Sequence, residues 1–197
     1  MIAPEKAMDT KDLLGTLSFL RSAERLKSTT RTAWTSSGTR ESVAEHTWRL
    51  ALMALVYERE FPGIDVAKLM KICIIHDLGE AIGGDVSALH QPEGGKAESE
   101  RRDLLQLMEP LPEDVRAEIT ALWDEYELAA SPEARLAKAL DKLETIMQHN
   151  QGANPPDFDY RFNLDYGRRF TADDPLIARV RRILDEETLR RAEESAT

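Results

Sequence analysis

Two histidines and two aspartates, His46, His76, Asp77 and Asp141, supply the nitrogen and oxygen donors that suit a mid-row divalent ion. Four such ligands close a tetrahedral zinc site but leave water positions open on a five- or six-coordinate ion. An open position is what hydrolysis needs, because the metal lowers the pKa of bound water and offsets charge on a phosphoryl oxygen. More acids lie close by in the run KICIIHDLGEAIGGD, Lys71 to Asp85. Glu80 follows His76 by four residues and Asp77 by three, a helical spacing that turns all three toward roughly one side. Asp85 follows a Gly-Gly pair. Taken singly, each residue has a plainer reading. His46 could sit at the edge of a core, Asp77 could meet a helix cap or an arginine, and Asp141 could be solvated beside Lys142 and Glu144. The plain readings leave one thing unexplained: His76 and Asp77 fall in the most apolar helix of the chain, where an unpaired Asp is costly.

The elements that must position these residues read as helices. Leu13, Leu14, Leu17 and Leu20 recur at helical spacing and predict an amphipathic helix over TKDLLGTLSFLRSAERLK. Ser28 to Arg40 is polar and aperiodic, which predicts a loop. Ser42-Val43-Ala44-Glu45 has the form of a capping box, placing His46 in the first turn of a second helix that runs to Tyr57 or Phe61. Pro62-Gly63 breaks it, and Asp65 caps a third helix expected over Val66 to about Ala81. Gly83-Gly84 ends that helix and a second long loop follows, about Val86 to Gly95. Further helices are expected over Lys96 to Met108, from Pro112 through EDVRAEITALWDEYELAA, and from the Ser131-Pro132 start to about His149. A last one opens at Asp174-Pro175. No strand is predicted, and the expected fold is all-α.

Composition narrows the function. The chain has 197 residues, 42% hydrophobic and 31% charged, which fits one soluble globular domain over residues 1–197. Its core would span about residues 10–150, with a helical extension over about 173–194. A formal charge of −10 disfavours nucleic acid or an anionic membrane as partner, since both need a basic surface. A small anionic substrate stays open, because a metal and an arginine reverse the field locally. The lone Cys73 cannot form an internal disulfide and reads as a buried hydrophobe. The first residues lack a signal-peptide layout, and no apolar run reaches about 18 residues, so a cytoplasmic location is expected.

The order His, His-Asp and a distant Asp resembles the HD-domain superfamily of metal-dependent phosphohydrolases. ESVAEHTWRLALMA, HDLGEAIGGD, LPEDVRAEITALWDEYE and SPEARLAKALDKLE are similar to its 5′-deoxynucleotidase (YfbR-like) branch, over about Leu17 to Met147. The resemblance implies an HD-domain helical bundle with the metal site between central helices. It implies His46, His76, Asp77 and Asp141 as ligands of a divalent cation, whether Mn, Co, Ni, Fe, Zn or Mg. It implies Glu80 as catalytic acid, with Asp85 matching the acid of the G-D motif. Arg31, 15 residues before His46, matches an arginine that contacts substrate phosphate. Some members place a tryptophan directly after that arginine, whereas this chain has Thr32-Ala33-Trp34, and Trp34 is the candidate for the role. His90 and His149 match no motif; His149 reads as a helix-end residue favoured by the dipole. The expected activity is phosphate release from deoxynucleoside 5′-monophosphates by a homodimer. Alarmone or cyclic-dinucleotide hydrolysis and a non-catalytic nucleotide-binding module are the alternatives.

Overall fold

The computed structural model describes residues 8–85 and 95–195. His90 and most of the expected loop from Val86 to Gly95 lie outside them. Helix α1, Thr10–Ala23, begins at Asp9, whose carboxylate accepts from the Asp12 amide, and runs on into a tight turn over Glu24–Lys27. The expected loop that follows is instead a ribbon. Strand β1, Thr30–Trp34, pairs antiparallel with β2, Arg40–Ser42, in the register Thr30↔Ser42 and Trp34↔Arg40. Gly38, at φ +83°, makes the reversal. The expectation of no strand is corrected here. Thr30, Thr32 and Trp34 are β-formers at alternate positions ahead of a Ser-Ser-Gly turn, a signal too short to stand out.

Helix α2, Val43–Tyr57, opens with the expected capping box: Ser42 Oγ accepts from the Glu45 amide, and Glu45 accepts from the Ser42 amide at 2.7 Å. Helix α3, Val66–Ile75, starts at Asp65 as expected but stops six residues early. From His76 to Gly79 the chain tightens into i→i+3 turns, with the Leu78 amide on Ile75 O and the Glu80 amide on Asp77 O. Helix α4, Glu80–Gly83, then resumes. The turn presses Gly79 against the next helix. A Cβ there would stand 2.6 Å from Glu100 O, so no other residue fits without backbone movement.

Helices α5, Lys96–Leu107, and α6, Glu113–Glu127, lead to α7, Pro132–Gln151, capped by Ser131. A turn over Tyr160–Leu164 and the short α8, Arg168–Thr171, precede α9, Pro175–Glu194, capped by Asp174. The chain is all-α apart from the ribbon. No helix among the described residues is long and apolar enough to cross a membrane.

The buried apolar residues form two clusters. One joins Leu50, Leu69, Ile72, Leu140, Leu143 and Ile146, with Ile177 and Leu184 of α9 packed into it. The other joins Phe19, Val43, Ile75, Leu104, Met108 and Trp123. Each such side chain contributes about 1.5–3 kcal/mol by burial. Helix α2 enters the second cluster at Val43 and the first at Leu50, and α3 enters the first at Cys73 and the second at Ile75. His46 and His76 therefore sit at the seam, held by packing on both sides.

Candidate metal centre and cleft

His46 and His76 both turn their Nε2 atoms inward, and second partners explain why. His76 Nδ1 donates to Cys73 O at 2.8 Å, and His46 Nδ1 makes a short hydrogen bond to Glu144 Oε2. Both partners are acceptors, so Nδ1 carries the proton and Nε2 keeps its lone pair. Neither Nε2 has a hydrogen-bond partner, although both are buried. Leaving such groups unmatched costs about 1–3 kcal/mol apiece. Carboxylates converge on the same point. Asp141 Oδ1 lies 3.3 Å from His46 Nε2, and Asp77 Oδ2 lies 3.0 Å from His76 Nε2 and 3.7 Å from His46 Nε2. His46, His76 and Asp141 can each offer a ligand atom within 4.8 Å of the others, and Asp77 Oδ2 adjoins both imidazoles. Two buried lone pairs facing two carboxylates fit a divalent cation.

The electrostatics agree with a cation site. Burial alone would raise Asp77, but His76 and then His46 hold it well below the usual carboxylate range. Burial likewise opposes ionisation of Asp141, and Lys142 at 2.8 Å, with the neighbouring His46, outweighs it. Tyr126 also donates to Asp141 Oδ2 at 2.9 Å, so the second carboxylate oxygen is occupied on both sides. Burial and Arg31 pull His46 down, yet Glu144 and Asp141 raise it to about 9, so the acids around this ring favour positive charge at Nε2, which a cation would supply in place of a proton.

Glu80 stands one turn beyond Asp77, buried, with Oε2 unpaired. Burial, then the charges of Asp77 and Asp85, push it up to about 10. Asp85, also raised by burial, lines the same cleft. That cleft has a volume of about 900 Å³, and His76, Asp77, Glu80, Asp85 and Asp141 occupy its floor with Arg31 and Trp34 alongside. The structure thus brings together the sequence-expected residues, with His46 enclosed behind them.

Arg31 is more heavily engaged than a phosphate grip alone requires. Its Nη1 donates to Glu41 Oε2 at 3.1 Å and Glu144 Oε2 at 3.4 Å, and its Nη2 donates to Thr145 Oγ1 at 3.0 Å. Three of the five guanidinium N–H groups are used, leaving Nε–H and one on Nη2. Trp34 is fixed by its backbone, whose carbonyl accepts from Gln148 Nε2, while its ring meets Phe158 edge-on at 6.0 Å. A Cβ on Gly152 would stand 2.3 Å from Trp34 O, so β1 and the end of α7 meet without room for a side chain.

His149 lies in the last turn of α7, as expected. It is buried, donates from Nδ1 to Asn163 Oδ1 at 2.8 Å, and packs edge-on against Phe158. Burial lowers its pKa, which keeps it neutral in the cleft wall. Sequence reasoning also passed over Glu144, Thr145 and Tyr126. Glu144 had a signal, three residues beyond Asp141 and on its helix face, but its charge suggested solvent.

The fold and site define a helical protein in which two buried histidines and two aspartates converge at a cleft, a donor set that suits a divalent cation. The chain belongs to the HD-domain family, whose model matches residues 23–179. It is 36% identical over 152 residues to a Bos taurus protein named 5′-deoxynucleotidase HDDC2, covering 76% of this chain and 73% of that one. A Schizosaccharomyces pombe protein named 5′-deoxynucleotidase hdd1 is 34% identical over 148 residues, covering 72% and 74%. Among solved structures, a predicted metal-dependent phosphohydrolase from Magnetospirillum magnetotacticum MS-1 superposes with a TM-score of 0.81 at 30% identity, covering 94% of this chain and 97% of that one.

Proposed function

We propose that the chain is a metal-dependent 5′-deoxynucleotidase that releases phosphate from deoxynucleoside 5′-monophosphates. The observation that carries it is the pair of buried, unpartnered Nε2 atoms aimed at two carboxylates on the floor of the cleft that Arg31 lines. The relatives named 5′-deoxynucleotidase support the substrate class. In this reading His46, His76, Asp77 and Asp141 hold the cation. A divalent ion there supplies an acidified water and takes up charge on a phosphoryl oxygen.

The protein's own groups do the rest. Arg31 presents its two remaining N–H groups to the phosphate, while Glu41, Glu144 and Thr145 hold the guanidinium in place. Glu80 moves the proton of the attacking water or of the leaving 5′-oxygen, because its unpaired Oε2 lies buried beside Asp77. Asp85 lines the cleft beyond it as a second acid. Trp34 bounds the sugar end. A homodimer in the cytoplasm completes the reading.

A phosphate-release screen tests it, with ribo- and deoxynucleoside 5′-monophosphates and Mn, Co, Ni, Fe, Zn or Mg added singly. Release from deoxynucleotides above ribonucleotides is expected. Pyrophosphate from an alarmone, or a linear dinucleotide from a cyclic one, would assign a different hydrolase.

A further inference from the structure

Glu144 is completely buried on α7 and neither lines the cleft nor belongs to the four residues assigned to the cation. Its two oxygens nevertheless reach three functional side chains. Oε1 accepts from Arg49 Nε at 2.6 Å. Oε2 accepts from His46 Nδ1 and lies 3.4 Å from Arg31 Nη1. A single oxygen thus touches a metal-site imidazole and the arginine assigned to phosphate. We propose that Glu144 is a positioning residue that holds the metal site and the phosphate site in register, fixing His46 with Nε2 exposed to the cation and Arg31 beside it. The part concerning Arg31 rests on the function proposed above.

The physical reason is specific to this geometry. An imidazole that binds metal through one nitrogen needs an acceptor at the other to set its tautomer and ring orientation, and losing that acceptor commonly weakens metal binding ten- to hundredfold. Glu144 meets that need from the helix that also carries Asp141, one turn earlier, so imidazole and carboxylate ligand are set by one rigid rod. Thr145, next along, accepts from Arg31 Nη2. Arg49 offsets the charge that burial would otherwise expel.

A plain ion cluster is the competing account, and Glu41 separates the two. Glu41 is also buried and touches the same arginines, Arg31 at 3.1 Å and Arg49 at 3.8 Å, but makes no hydrogen bond to His46. Chelator competition with Mn or Zn alone should show a ten- to hundredfold weaker affinity in Glu144→Gln and a change within about twofold in Glu41→Gln. At saturating metal, Glu144→Gln should raise KM for a deoxynucleoside monophosphate about tenfold, with a smaller change in kcat. Equal shifts in metal affinity for the two variants, or none in either, would overturn the proposal. If Glu144→Gln does not fold, nitrogen NMR of the unaltered zinc-loaded protein decides. A proton on His46 Nδ1 in a strong hydrogen bond supports the role, and a bare Nδ1 overturns it. The metal and NMR measurements need no substrate, so a failure of the nucleotidase reading would be visible separately.

Discussion

The inner wall of the cleft, formed by β1, the turn after α3 and α7 with His46 of α2 behind it, carries ionisable side chains that are nearly all buried and individually partnered: His46 by Glu144, Asp141 by Tyr126 and Lys142, Arg31 by three acceptors. The outer wall, between Pro155 and Phe170, comes from irregular chain, a tight turn and the four-residue α8. It presents half-buried rings, with Phe162 and Tyr166 centred 5.2 Å apart and Arg169 over Phe170 at 4.5 Å. Directional polar contacts on long helices fix atoms to the tolerance that phosphoryl chemistry requires. Aromatic faces accept many flat partners with little directional demand. For the nucleotide substrate proposed above, the contrast would put its constant part at the inner wall and its variable part at the outer.

Removing a ligand should break the inner wall outright. Asp77→Ala is expected to lose both bound metal and turnover, because Asp77 is the one carboxylate in contact with both imidazoles. Elemental analysis of the purified variant measures the first and phosphate release the second. Full metal occupancy would show that the centre does not include Asp77.

Removing only the proton carrier should be milder. Glu80→Gln keeps the side chain's shape, and a cation group complete without it should retain its metal. The expected loss in turnover is about 10²-fold, or about 2.7 kcal/mol, with substrate affinity changing much less. Single-turnover hydrolysis beside calorimetric binding tests this. Lost metal would recast Glu80 as a ligand.

Arg31→Lys comes next in size. Charge is kept, but an ammonium cannot serve Glu41, Glu144, Thr145 and a phosphate from one plane. Turnover should fall by one to two orders of magnitude, roughly 1–3 kcal/mol. Steady-state kinetics equal to wild type would place Arg31 outside the reaction.

How much of this could be read in advance follows from the range of each interaction. The capping box at Ser42, the Ser131-Pro132 start and the Asp174 cap are local and appear as expected. The single helix from Val66 to Ala81 does not, because close packing of Gly79 on Glu100, a residue of a different helix, accompanies the turn that interrupts it. Resemblance supplied the candidate ligands, whereas residue spacing alone left each with a bland reading. Thr145, and Glu144 beyond its place on the Asp141 helix face, gave no sign of their contacts because their partners lie 95–114 residues away in sequence. The burial of His149 at its helix end has a related cause. Phe158 and Asn163, from chain with no marked periodicity, fold over it.

The smallest expected effect probes the outer wall, where the reading of the comparison is most easily sharpened. Phe162 lines the cleft and stacks at a 33° tilt on Tyr166, but it bonds to no group of the metal centre. If a nucleobase lies along this wall, Phe162→Leu exchanges an aromatic face for an aliphatic one of lower contact specificity, worth about 1 kcal/mol. KM for a deoxynucleoside 5′-monophosphate should then rise roughly fivefold with kcat nearly unchanged, the signature of binding lost equally from ground and transition states. Deoxyribose 5-phosphate has no base, so its kinetics should not change between wild type and variant. Phe162→Tyr keeps the ring and should restore the nucleotide KM. Equal losses for the nucleotide and the base-free sugar phosphate would mean that Phe162 supports the wall's shape instead of meeting the base, and the division of labour between the two walls would have to be redrawn.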